Sequence, residues 1–487
     1  MRMNDNLSQC LLQNTRREAC MNWLVLALLL FVILLPCSAF GQEQWPRSGR
    51  TRTDVLVDLE EGGRAFHRDP DDAEVRLTYA RLLFESGDFW QARDAVLPLV
   101  GLSNPSTEAM EMAAKLQYLT AHYDEAVSLY NRVLEAKKGD VNGQVMTNVN
   151  KLLAYYQQNR FDKIKEIEFP DGVQLPNAKL AAEFDQNPYQ LEWNNDERIS
   201  IVPFHITDPL PVITLEVDGV PVQMIFDTGG DMLILDSEIA EAIGIEPTVT
   251  AMGTFGGGLQ QEVGFGKVDE VKVGDVTIRE VPLTILPTKR FSPGFRGYTI
   301  GGVLGTAVMR QFLGSLDYKN ERLVLRERSP ENARELQSAM GDRVAAEISF
   351  VLDQTHLMMA RGDINDKEGL TFFMDSGLAS HNMLTAPIQT LEHLGIPEPQ
   401  RTVDEESVGG GGGVWASGQF PVWSVALGPL VQTDTTGEYG SRPPGSYWSE
   451  FYIQDAVLSH QFLRQYASWT LDFDNMTYIF ESPSLTP

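Results

Sequence analysis

Two short runs in this chain could do acid–base chemistry together. Asp227-Thr228-Gly229 follows the apolar run Val222 to Phe226, and Asp375-Ser376-Gly377 follows Leu370-Thr371-Phe372-Phe373-Met374, 148 residues downstream. A carboxylate at the end of an apolar strand, followed by a hydroxyl and a glycine, sits on a sharp turn where backbone N–H groups and the hydroxyl fix its direction. One such turn is commonplace, but two make a chemical device. Carboxylates about 3 Å apart cannot easily both ionise, so they share a proton, and one acts as base while the other acts as acid. Together they can activate a water and polarise a carbonyl without a metal or a covalent intermediate.

The elements around each run come in the same order. Gly256-Gly257-Gly258 starts 29 residues after Asp227, and Gly409-Gly410-Gly411 starts 34 residues after Asp375. Val303-Leu304-Gly305 ends 78 residues after the first Asp, and Val457-Leu458-Ser459 ends 84 after the second. Phe312-Leu313 and Phe462-Leu463 follow, then the matching hairpins from Ser315 to Asn320 and from Thr470 to Asn475. Short β-branched runs, alternation and frequent Gly and Pro mark both stretches as strands and turns. They describe a duplicated β lobe, 198–328 and 345–482, joined by the charged, helix-prone segment Ser329 to Gly341.

This pattern resembles the aspartic peptidases, specifically retropepsin-like lobes fused in one chain as in the pepsin arrangement. The resemblance implies that Asp227 and Asp375 are the catalytic pair and that Thr228, Gly229, Ser376 and Gly377 brace it. It implies that Gly256, Gly257, Gly258, Gly409, Gly410 and Gly411 lie in hairpins closing over substrate. Val303, Leu304, Gly305, Val457, Leu458 and Ser459 would support the two acid loops. The implied reaction is peptide-bond hydrolysis of a polypeptide bound as an added strand, with no cofactor and no metal. Two local features depart from the pattern. Asp231 could bring a third carboxylate to the pair and raise the pKa of Asp227. Ser459 stands where glycine is expected, so its side chain is expected to crowd the loop it supports. The alternative reading is a catalytically inactive bilobal peptide-binding or scaffold protein.

Residues 54–169 have a different texture, with helical periodicity and Pro and Gly mostly at the breaks. Ala80, Gly87, Phe89 and Ala92 recur 34 residues later as Ala114, Ala121, Tyr123 and Ala126, and a looser third copy ends in Asn159-Arg160-Phe161. The 34-residue spacing and the Gly87-Asp88-Phe89 turn resemble the tetratricopeptide repeat. Such units bury their apolar faces only by stacking, so the segment is either a helical spacer or a docking surface for a protein partner. The expected fold class is multidomain α + β: tetratricopeptide-like helical repeats, then an all-β bilobal aspartic-peptidase fold.

Composition removes other classes. The chain has 487 residues, 43% hydrophobic and 22% charged, enough for a few domains and not the balance of a disordered chain. With Lys+Arg 39 against Asp+Glu 67, the net charge of −28 would repel a phosphate backbone, which argues against nucleic acid as a partner. None of the seven His falls in His-Glu-x-x-His spacing, so a zinc peptidase is disfavoured, and the Gly409 run lacks the Lys-Ser/Thr of a phosphate loop. Arg16 and Arg17 precede the apolar run Trp23 to Leu35, and Ala39-Phe40-Gly41 offers small residues for cleavage. Residues 1–41 therefore read as a secretory signal peptide. Two other readings stay open, a retained membrane anchor over Met21 to Phe40 and lipid attachment at Cys37. All three place the bulk of the chain outside the cytoplasm, periplasmic or secreted.

Overall fold

The computed structural model describes residues 50–482 except 171–172, 174, 255–259, 409–413, 441–446 and 450. The N-terminal segment with Cys10, Cys20 and Cys37, and the six flap candidates Gly256–Gly258 and Gly409–Gly411, lie outside the described residues.

The helical part is punctuated by residues whose side chains compete for backbone bonds. Thr51 caps α1 (Arg52–Arg68) in a reciprocal box with Asp54, Asp72 caps α2 (Ala73–Glu85) and Asp88 caps α3 (Phe89–Val100). Ser106 caps α4 (Thr107–Leu119), α5 spans Tyr123–Ala136, and Asp140 caps α6 (Val141–Gln157). Three times a helix ends through a left-handed residue and the next begins on an aromatic ring. These are Gly87 before Phe89, Ala121 before Tyr123, and Asn159 before Phe161 at the head of α7 (Phe161–Ile164). Ala80, Ala92, Ala114 and Ala126, the small residues of the 34-residue spacing, are all fully buried where neighbouring helices approach. A last helix, α8, spans Pro176–Ala182.

The rest is β. In the first half, Val212–Val217 pairs with Val220–Phe226, which runs parallel to Gly302–Leu304. Pairing continues through Leu233–Asp236, Val276–Leu286 and Gln260–Val273 and returns to Val212–Val217, closing a ring. In the second half, Leu357–Ile364, Lys367–Met374, Ala456–Leu458, Leu384–Ala386, Leu430–Tyr439 and Val414–Leu427 close a ring in the same order. The parallel pairs fall at the same two joints in both rings.

A six-stranded antiparallel sheet joins the halves, with Phe312–Asp317 beside Ser468–Asp472 at its centre. There Ser315 faces Thr470, and their hydroxyls are 2.7 Å apart. The connecting segment forms a helix over Pro330–Met340, capped by Ser329. The first half recruits one strand from outside the expected boundary, Gln190–Trp193, which pairs with Val276–Arg279.

Helices and sheets share their cores. One apolar cluster combines helical residues from Ala80 to Ala154 with Val351, Leu357, Met359, Phe373, Tyr452 and Val457 of the second half. Another combines Leu152, Tyr156, Phe161 and Phe184 with Met232, Val263, Phe265 and Leu286 of the first half. Each buried side chain of this size contributes about 1.5–3 kcal/mol, so shared packing outweighs any surface ion pair in holding the helices to both halves. Among the aromatics of the second half, Tyr447 and Tyr452 are buried in this junction, whereas Trp423 is 58% exposed and packs no core.

Candidate active site

Two parallel strand joints carry the acids. Val220–Phe226 and Gly302–Leu304 end side by side, and the Asp227 N–H donates to Leu304 O at 3.2 Å. Lys367–Met374 and Ala456–Leu458 do the same in the second half, where the Asp375 N–H donates to Leu458 O at 3.0 Å. Each chain then turns sharply. Gly229 N donates to Asp227 Oδ1 at 2.7 Å, and Gly377 N donates to Asp375 Oδ1 at 3.0 Å, which aims each carboxylate along its turn.

The hydroxyls lock the turns together. Thr228 Oγ1 donates to Met374 O at 2.7 Å and accepts from Ser376 N at 2.9 Å. Ser376 Oγ donates to Phe226 O at 3.2 Å and accepts from Thr228 N at 3.0 Å. Each hydroxyl thus bonds the carbonyl just before the other acid and the N–H just after it. Both hydroxyl residues are buried, so every one of these bonds would be costly to leave unmade. The glycines are sterically required. A Cβ on Gly229 would stand 2.9 Å from Asp375 Oδ1 and 3.0 Å from Asp227 Oδ1, and one on Gly377 would overlap the Asp227 carboxylate.

The structure thereby brings Asp227, Thr228, Gly229, Asp375, Ser376 and Gly377 to one point, with the two carboxylates hydrogen-bonded to each other. Burial raises the Asp227 pKa, an effect opposed by hydrogen bonds from Gly229, Asp375 and Gly377. Burial, and then the negative charge of Asp227, push Asp375 well above the usual carboxylate range. Both carboxyls are thus raised together, which disfavours double ionisation and lets the pair share one proton.

Val303, Leu304, Gly305, Val457, Leu458 and Ser459 lie directly behind the turns. Thr306 N donates to Gly230 O at 2.9 Å, and His460 N donates to Leu378 O at 3.2 Å. Ser459 corrects the expectation of crowding. Its hydroxyl donates to the carbonyls of Asn382 and Met383 and caps the short helix His460–Leu463, so the side chain is bonded into the loop.

Asp231 is corrected too. Its carboxylate accepts from the Tyr156 hydroxyl of α6 at 3.3 and 3.4 Å, and a hydrogen bond to Thr355 completes its surroundings. Burial raises its pKa to about 6 against the pull of Arg310, and it is not among the groups that shift Asp227. It faces the helical part.

Two positioning groups escape sequence reading. Asp455, just before Ala456–Leu458, accepts from Thr371 N at 2.7 Å on the strand that leads to Asp375. Arg52 of α1 reaches Asp455 with both Nε and Nη2, and the pair is almost wholly buried. Arg310 and Arg464, five residues beyond Gly305 and Ser459, could have been found from the duplication, since each stands before a Gln. A cavity of about 630 Å³ lies elsewhere, among α1, α2 and α3, and shares no residue with the acid turns. Among the described residues, no group of three or more His, Cys, Asp or Glu could hold a metal ion.

Residues 213–308 match the family model described as Aspartyl protease. Among solved structures the chain is similar to a retropepsin-like aspartic protease from Rickettsia conorii, at 17% identity, covering 29% of this chain and 94% of that one, with a TM-score of 0.19. The comparison with curated proteins found no match. The stretch from Ile213 to Val308, which holds the first acid turn and its supporting strand, is thus similar to the aspartyl proteases.

Proposed function

We propose that this chain is an exported aspartic endopeptidase whose two β halves are peptidase lobes, each giving one aspartate to a shared dyad. The observation that carries the reading is the interlocked pair of acid turns, with one carboxylate from each half and a hydroxyl brace running in both directions. One carboxylate, the ionised member, takes a proton from a water held between the acids. The other, protonated, donates to the scissile carbonyl, and the gem-diol that forms collapses as the first acid passes its proton to the leaving nitrogen and the second regains one from a gem-diol hydroxyl. The braces fix the separation on which the shared proton depends.

In this reading the helices are a tetratricopeptide-like array, as the 34-residue recurrence of small and aromatic residues and the left-handed turn at Gly87 and Ala121 suggest. Residues 1–41 direct the protein out of the cytoplasm, and the acidic surface leaves polypeptide as the favoured substrate over nucleic acid. The test is hydrolysis of an unfolded polypeptide by the purified chain, with and without a statine-type inhibitor. Cleavage that the inhibitor blocks, and that disappears in Asp227→Asn and in Asp375→Asn, supports the reading. Peptide binding without turnover in the unaltered chain would replace it with a peptide-binding scaffold.

A further inference from the structure

The duplication provides an internal standard: whatever stands at one end of the junction between the halves has a counterpart at the other. At one end, Arg464 of the second half reaches Asp208 of the first at 2.8 Å, and Arg296 adds a second cation. These side chains remain 32% (Arg464) and 41% (Asp208) exposed.

The counterparts at the other end have a different environment. Arg310, in the position of Arg464, is buried, and its guanidinium donates to Tyr156 O at 2.8 Å, to Asn159 Oδ1 at 3.1 Å and to Gln157 Oε1. The segment 353–356, which matches the loop around Asp208 by strand register, is buried throughout. Lys115 bonds Asp353 at 2.6 Å, while Gln354 O accepts from Gln157 Nε2 at 2.9 Å and from the Tyr118 hydroxyl. Tyr156 itself reaches Asp231, four residues past Asp227. In the second half the residue that matches Asp231 by strand register, Asn382, bonds only within its own half among its recorded partners, to Ser380, Thr436 and Glu438.

We propose that the C-terminal end of α6, with Tyr156 at its tip, closes one end of the substrate cleft, so that a bound peptide extends beyond the dyad region on one side only, past Asp208 and Arg464. The proposal rests on the peptidase reading and deepens it: the enzyme takes substrates near a chain end, or segments that bend away sharply, ahead of long extended segments. The physical basis is packing. A peptide in an aspartyl-protease-like cleft lies as an extended strand, and a strand cannot continue through buried Arg310, Tyr156 and Gln354 without breaking their hydrogen bonds.

The test uses the full chain and statine-type peptides of about four residues, lengthened by about four alanine-rich residues at the N-terminus, at the C-terminus or at both. Affinities are read by titration calorimetry. Lengthening at one terminus should leave affinity unchanged, and lengthening at the other should weaken it by about tenfold or more, that is about 1.4 kcal/mol. In Tyr156→Ala the penalised extension should regain affinity while the short peptide binds as before. Equal tolerance of both extensions by the unaltered chain, which needs no variant to fold, would overturn the closed end while leaving the peptidase reading intact. Failure of every statine peptide to bind would reject that reading and the closed end with it.

Discussion

Gly305 and Ser459 stand at the same point of the two halves, each one residue beyond the strand that runs parallel to the one ending in the acid. Their backbones agree closely, with φ −85° and ψ 174° at Gly305 and φ −87° and ψ 170° at Ser459. Yet a Cβ on Gly305 would collide with the carbonyls of Asp231 and Met232, whereas Ser459 uses its side chain to bond the matching carbonyls of Asn382 and Met383. Asp231 follows its acid by four residues and Asn382 follows its own by seven, so the second turn is three residues longer before it meets that position. Backbone geometry at the dyad is therefore common to both halves, and the side chains one layer out are free to differ. The same holds farther away, where Arg310 is enclosed by α6 and Arg464 meets Asp208 near solvent.

The sharpest way to break this comparison is to remove each acid in turn. Asp227→Asn and Asp375→Asn should each lower kcat by about 10²–10⁴-fold, since neither half can run the chemistry alone. An effect confined to one substitution would mean that the halves are not equivalent partners. Arg52→Ala should come next. It strands the buried Asp455 carboxylate and should cost about 3–5 kcal/mol in denaturant unfolding, with Arg52→Lys recovering part of the loss.

A smaller pair addresses the supporting loops directly. Gly305→Ala should destabilise by about 1–3 kcal/mol through backbone collision, and Ser459→Gly by about 1 kcal/mol through lost hydrogen bonds. The reverse ranking would contradict the account of why the two positions differ. The smallest effect belongs to Arg464→Ala. Its pair with Asp208 is partly exposed, so less than about 1 kcal/mol should be lost, against a clearly larger loss for Arg310→Ala.

Much of the centre is legible in the sequence, for a physical reason. An acid turn needs an apolar strand before it and a small residue after it. A brace needs a hydroxyl between, and a duplicated fold repeats these needs at near-constant spacing. Asp227, Thr228, Asp375 and Ser376 carry all of that in their neighbours. The helix starts obey a local rule of the same kind, since Asp72, Asp88, Ser106 and Asp140 each accept backbone N–H bonds at a cap.

Contacts between distant segments were not legible. Arg52 meets Asp455 across 403 residues and Tyr156 meets Asp231 across 75, and neither residue type nor spacing advertises such a pairing. Asp231 looked like a third acid of the pair because sequence proximity to Asp227 does not say which way a side chain points. Ser459 reads as a defect because the carbonyls its hydroxyl bonds, those of Asn382 and Met383, belong to another loop.

The central claim is that Asp227 and Asp375 share one proton. Carboxyl ¹³C titration of the two residues, in the unaltered chain and in Asp227→Asn, tests it without requiring turnover. The account predicts coupled, widely split titrations with Asp375 protonated well above the ordinary carboxylate range. In the variant Asp375 should titrate lower, because its charged neighbour is gone, yet still above 3.8, because burial is the larger cause. Two independent titrations near the ordinary aspartate value, unchanged by the substitution, would contradict it.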